Sequence, residues 1–338
     1  MSAYLALVAS IVAGSKLTVR CNVGIPGAAG PPTLTLVATS GGAVGDIAGG
    51  YTATLTGTNF TGATGVTFGG TAATALVVVG PTSITCTVPA HATGAVSVVV
   101  TTPSGSNAAN TLFRFFSPAE LPLSLWNRGD FAVPWTANAS TGASLANGSL
   151  VTAGSDPTAG TSYNGHVSAN FASASSQYLT NPTDAAVLYG TSAKTIVALL
   201  AAGGAVAPTG NVYDDAAIVV DANADTGMSY TTSGYTMFVY DGAYKSKSVP
   251  MSGSALHLVM GRHDGANLGM TLDSAAEVTQ AAGNSAVMTG TLYVGRGYLG
   301  AKFFDGKIEE LMIASAVLTP SNYADIKSYC NTRYNLTL

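Results

Sequence analysis

From Ile47 to Phe113 the chain carries no Asp, Glu, Lys or Arg. Low charge can signal disorder, but a disordered chain is also poor in apolar residues, and this sequence is 47% hydrophobic. The segment therefore folds, and its solvent-facing positions must be Thr, Ser, Asn and backbone. Gly and Pro divide it into short apolar, β-branched runs at 51–56, 65–68, 75–79, 83–88, 94–101 and 111–116. Short strands at close, regular spacing between turn signals are the pattern of a β-sandwich.

The same deficit bounds function. Only 9% of the 338 residues are charged, against roughly 25% in ordinary soluble domains. With 13 Lys plus Arg and a net charge of −4, the chain lacks the clustered cations that bind a phosphate backbone, so no nucleic-acid partner is expected. Cys21, Cys86 and Cys330 are odd in number and form no Cys-x-x-Cys pair. They are expected to be buried or free thiols in a chain able to fold in a reducing cytoplasm.

Ser2 to Ser15 is an uncharged, mostly apolar run with no cation ahead of it. A secretory signal opens with cations and a membrane helix needs about 20 apolar residues, so the expectation is an arm, strand-forming or docked elsewhere, with a retained, poorly ordered leader as the alternative and no membrane insertion. Gly24-Ile25-Pro26-Gly27-Ala28-Ala29-Gly30-Pro31-Pro32 follows as three Gly-X-Y triplets. This is a Gly/Pro linker or a short trimeric stalk. Residues 1–32 thus form a first segment.

Lys16, Arg20, Asp46 and Arg114 are the only charged residues before Pro118, and both Trp126 and Trp135 follow it. This shift in texture divides 33–117 from 118–338. The second region carries strand-like runs at 167–171, 195–201, 216–220, 235–240, 258–262, 268–272, 292–294 and 306–313. Its length suits one large sandwich. Near the end, Thr319 is placed to cap a helix with Pro320 at its first position, and Tyr323, Ile326, Cys330 and Tyr334 share one helical face. The fold class is all-β, with one short C-terminal helix.

Two resemblances sharpen this. Leu55-Thr56-Gly57-Thr58-Asn59-Phe60, Val66-Thr67-Phe68-Gly69-Gly70, Ser83-Ile84-Thr85-Cys86-Thr87-Val88-Pro89 and Gly94-Ala95-Val96-Ser97-Val98-Val99-Val100 resemble, in order, the IPT/TIG immunoglobulin-like domain. That implies an Ig-like β-sandwich over 33–117, acting as a spacer or interaction module. Asn170-Phe171-Ala172-Ser173-Ala174-Ser175-Ser176-Gln177-Tyr178-Leu179, His257-Leu258-Val259-Met260-Gly261-Arg262-His263-Asp264-Gly265 and Phe304-Asp305-Gly306-Lys307-Ile308-Glu309-Glu310-Leu311 resemble laminin G-like, concanavalin A-like jelly rolls, particularly those of phage and bacterial surface proteins. That implies a jelly roll over 118–338.

Because concanavalin A-like folds include glycosidases, paired carboxylates matter. Such pairs on one strand need alternate positions. Glu309 and Glu310 are adjacent, so they are expected on opposite faces, one exposed and one near a turn, and no catalytic residue is assigned. His91, His166, His257 and His263 lack metal spacing, and His257 and His263 are expected to be structural. Asp221, Asn223 and Asp225 place oxygen ligands at alternate positions. The EF-hand pattern fails, and two readings stand: a hairpin turn, or the weaker calcium site that the laminin G-like resemblance implies. Calcium would be the sole cofactor. Tyr213, Tyr230, Tyr235 and Tyr244 are candidates for stacking on sugar faces.

Together the resemblances imply a non-enzymatic virion structural protein of a tailed bacteriophage, in the head decoration, a head fibre or the tail. Its partners would be capsid or tail proteins, further copies of itself, trimers included, and a host surface glycan. It would be made in the host cytoplasm and carried on the virion surface. A bacterial cell-surface adhesin or lectin is the alternative, and a carbohydrate-active enzyme the third reading.

Overall fold

The computed structural model describes residues 30–128, 151–152, 157–181, 193–203, 212, 215–221, 226–231, 234–251, 254–283, 291–300 and 302–338. Most of the N-terminal arm lies outside them. Each run expected from the sequence coincides with one or two strands.

Among the described residues, strands between residues 33 and 116 pair only with one another, in three sheets. One of the two four-stranded sheets orders Thr33–Ala38, Thr52–Thr58, Ser83–Thr87 and Thr74–Gly80. Thr52–Thr58 alternates strictly between exposed and buried, as a strand with one face on a core and one in water must. Phe60 and Phe68 plug that core, both fully buried, with Phe68 edge-on to Phe113 at 5.4 Å between centroids. Asn59 adopts φ 60° in the turn ahead of Phe60, a left-handed conformation that Asn tolerates better than most residues. Cys86 and, further on, Cys330 are buried free thiols.

The second unit stacks an eight-stranded sheet on a seven-stranded one around a large apolar core. Lys194–Ala202 and Gly306–Ala314 lie side by side inside the eight-stranded sheet. Lys194–Ala202 is buried at all nine positions. From Ile196 onward it is continuously apolar because both of its faces are covered: Ile196, Ala198 and Leu200 face the other sheet, while Val197, Leu199 and Ala201 face the C-terminal helix.

That helix, Pro320–Tyr334, starts at Thr319, whose hydroxyl accepts the Asn322 N–H, with Pro320 in the first turn. Tyr323, Ile326, Cys330 and Tyr334 pack on the sheet as their spacing predicts. However, Asn331, Thr332 and Arg333 on its other side are buried too, because the Ig-like unit docks there. The Asp46 N–H donates to Thr332 Oγ1 at 2.9 Å, and Ser40 Oγ donates to the Asn331 carbonyl at 3.0 Å. Gly41 allows this approach, since a Cβ there would collide with the Ser328 carbonyl. Arg114 pairs with Asp325 on the helix and with Glu120 in the connection, the latter at 2.8 Å.

At the centre of the junction, Arg333 meets Asp46 at 3.3 Å, Glu310 at 3.8 Å and His166 Nδ1 at 3.1 Å. Glu310 accepts from Trp126 Nε1 at 2.7 Å and from the Tyr329 and Tyr334 hydroxyls at 2.8 and 2.7 Å. Burial pushes its carboxyl up to about 7, although Arg333 and the three donors pull the other way.

Glu309 and Glu310 depart from the sequence expectation in two respects. Leu200 pairs with Ile308 and Leu199 with Glu310, so Glu309 is the extra residue of a β-bulge. Alternation resets there: Ile308 and Leu311 face the inter-sheet core, whereas Met312 faces the helix. Both carboxylates therefore lie on the helix side. Glu310 holds the junction, and Glu309 lies near Tyr163, whose hydroxyl is raised by burial and by that carboxylate's charge. They are 0% and 1% exposed, neither at the surface.

Candidate functional site

The seven-stranded sheet turns one row of side chains away from the core. Register places Thr180, Tyr293, Val220, Gly227, Phe238 and Ser246 opposite one another across six strands. The neighbouring row, with Leu179, Val294, Val219, Met228 and Met237, packs inward. Phe238 lies flat over Gly227, where a Cβ would sit 2.6 Å from its ring. Val212, Tyr293 and Tyr298 pack on the resulting small cluster. Beside it, the hydroxyls of Thr236 and Ser248 bond at 2.8 Å.

Two aromatic groups flank this outer face. At the edge hairpin, Tyr240 and Tyr244 are paired across the turn, each 38% exposed, with centroids 5.1 Å apart. The hairpin tip is fixed from outside: the Gly283 N–H donates to Asp241 Oδ2 at 2.7 Å, and the Gly283 carbonyl bonds His263 Nε2 at 2.9 Å. The Gly283 donor holds the Asp241 carboxyl below its ordinary range. Near Tyr293, the Arg296 guanidinium stacks on the Tyr293 and Tyr178 rings at 4.5 and 5.1 Å. Phe303, bridged to Arg296 in a short hairpin, lies against Tyr178.

This arrangement sorts the expected tyrosines. Tyr244 stands at the surface. Tyr230 and Tyr235 are paired across their strands but face inward, 7% and 0% exposed, in the main core. Buried rings cannot stack on an incoming sugar, so neither serves that role. Tyr213 lies outside the described residues. Tyr240, which the sequence reading passed over, completes the exposed pair.

Asp221 is fully buried and its Oδ1 accepts the Thr226 N–H at 3.0 Å, joining strands Ala216–Asp221 and Thr226–Thr231. Lys194 Nζ donates to the Thr226 hydroxyl at 3.1 Å. The hairpin reading accounts for Asp221. Asn223 and Asp225 lie outside the described residues, and no group of three metal-ligating side chains occurs among those described. His257 bonds Asp273 at 2.7 Å, so both it and His263 have structural partners.

The sequence reading also missed a pocket of about 260 Å³ lined by Asn170, Ala202, Gly203, Ser254, Asp305 and Lys307 among others. Its residues come from four separate segments, so no local motif marks it. Among the described residues, no helix is long and apolar enough to cross a membrane.

No curated protein matches the chain. Among solved structures, it is similar to Domain 4 of AbnA, an extracellular arabinanase from Geobacillus stearothermophilus, in complex with arabinotriose. That likeness has 12% identity and a TM-score of 0.48, over 62% of this chain and 99% of that one. It is similar as well to the receptor-binding domain of botulinum neurotoxin mosaic serotype C/D, with 11% identity and a TM-score of 0.46, over 62% of this chain and 51% of that one. A third is the CBM40 of a Ruminococcus gnavus IT-sialidase bound to sialyllactose, with 15% identity and a TM-score of 0.32, over 40% and 83%. Residues 37–115, within the unit built from the three smaller sheets, match the IPT/TIG domain.

Proposed function

We propose that the chain is a non-enzymatic structural protein of a bacteriophage virion, in which residues 1–32 attach to the particle, 33–117 act as spacer and 118–338 bind a host surface glycan. The observation that carries the glycan reading is the Tyr240–Tyr244 pair, exposed and fixed at its tip through Asp241 and Gly283. Exposed aromatic rings held in place suit a sugar, whose C–H faces stack on them. Preorganisation lowers the entropy cost of that contact. The non-catalytic reading is supported by Glu309 and Glu310, both buried beneath the helix side of the sheet. The virion reading rests on the arm, the Gly-X-Y stretch and the resemblance of 118–338 to phage jelly rolls.

The test is a glycan array with the full chain, followed by titration of Tyr240→Ala and Tyr244→Ala. Loss of one stacking ring, worth about 1 kcal/mol, should weaken binding about fivefold to tenfold. An array without hits, or variants that bind undiminished, would refute the surface. Absence of the chain from purified virions would refute the particle role on its own.

A further inference from the structure

In the Ig-like unit, the outer face of the four-stranded sheet that begins with Thr33–Ala38 is a second surface of unusual chemistry. Thr52, Thr54, Thr56 and Thr58 project from its second strand, all exposed. Leu36, opposite Thr56, is 50% exposed on one flank, and Val77, opposite Thr85, is 55% exposed on the other, with Val79 at 65%. An ordinary surface of this size would be roughly one-quarter to one-third charged. The strands of this face carry no charged group, and among the described residues the charges on either side in sequence are engaged elsewhere: Asp46 with Arg333, Arg114 with Asp325 and Glu120.

We infer that this face is an interface between copies of the same chain. Its neutrality selects the partner: an ionic surface would lose the hydration of its charges here and meet no counter-charge, at high cost, whereas a second identical face is matched in hydroxyl and methyl groups. The approach is face to face. Edge-to-edge pairing through Thr74–Gly80 is disfavoured because that edge strand has two register breaks, and such irregularities blunt an edge. Isologous packing needs only a two-fold axis in the plane of the interface.

Four strands about 4.8 Å apart and about 20 Å long span about 400 Å², below the roughly 800 Å² per partner of standard interfaces. Pairwise association is therefore weak, in the micromolar range or above, and is strengthened where many copies share one particle. Sedimentation equilibrium of the full chain across a wide concentration range should give a concentration-dependent rise in mass. Val77→Lys with Val79→Lys, or Thr54→Lys alone, should raise the dissociation constant at least tenfold. The melting temperature should stay close to that of the parent, because all three sites are exposed. A parent that stays monomeric throughout, or stably folded variants that associate as well as the parent, overturns the inference. The second outcome would assign any association to another segment.

Discussion

Replacing Arg333 with Met tests whether the C-terminal helix locks the two units together. The side chain is 5% exposed and sits between Asp46 of one unit and Glu310 of the other. Met keeps much of the volume and removes the charge. Asp46, only 4% exposed at its side chain, would then be a buried carboxylate without its cation, and removing one partner of a buried pair costs about 3–5 kcal/mol. Glu310 softens the loss. Its carboxyl, already at about 7 with Arg333 present, rises further without the guanidinium and takes up a proton at neutral pH. The cost therefore falls mainly on Asp46, and about 3 kcal/mol is the better figure. At about 2–4 °C per kcal/mol for units of this size, the melting temperature should drop by about 6–12 °C.

Differential scanning calorimetry reads both this drop and the loss of coupling. The parent should melt with the Ig-like unit and the larger unit in one transition, and Arg333→Met should begin to separate them. Adding Asp46→Asn to Arg333→Met should recover part of the loss, because the stranded charge is gone, and groups in one network are non-additive by about 0.5–3 kcal/mol. A single-variant change below about 2 °C would refute the junction as an energetic link. So would full additivity of the pair.

Other predictions follow from the same geometry. Because the folded value of Glu310 is raised from 4.5 to about 7, its contribution is fully present below about pH 4.5 and is lost as pH rises through 7. Glu310→Gln should flatten that slope in stability–pH curves, and an unchanged slope would assign it to another group. Gly41→Val drives a side chain into the Ser328 and Val44 carbonyls and should cost about 1–3 kcal/mol in denaturant titrations. Gly227→Val displaces Phe238 from its seat and should cost a similar amount. Asp241→Ala removes the acceptor for the Gly283 N–H and should weaken glycan binding while moving the melting temperature little.

Much of this was legible because burial writes itself into strand and helix periodicity. The apolar run 195–201, the Thr319 cap and the Tyr323/Ile326/Cys330/Tyr334 face could be read directly. Val278–Ala281, exposed at all four positions, and Tyr244–Val249, polar along most of its length, are edge strands. Burial leaves little pattern in such segments, so they escaped. The bulge at Glu309 was invisible for a different reason. It exists only in the register with Lys194–Ala202, more than a hundred residues away, and no local pattern encodes it.

The tyrosines separate what parity can decide from what composition cannot. Both Tyr230–Tyr235 and Tyr240–Tyr244 flank hairpin turns and face each other across them, so by residue type they look equivalent. Yet Tyr235 and Tyr240 share one strand an odd number of residues apart, and side chains alternate along a strand. If one faces the core, the other must face outward. Met237 and Val239, in phase with Tyr235, belong to the core between the sheets, whereas Phe238, in phase with Tyr240, is buried in the separate small cluster on the opposite face, and that settles the direction. Tyr240 is then on the solvent side, and cross-strand pairing carries Tyr244 with it. The exposed pair thus follows from alternation once it is known which of the strand's buried residues face the opposite sheet.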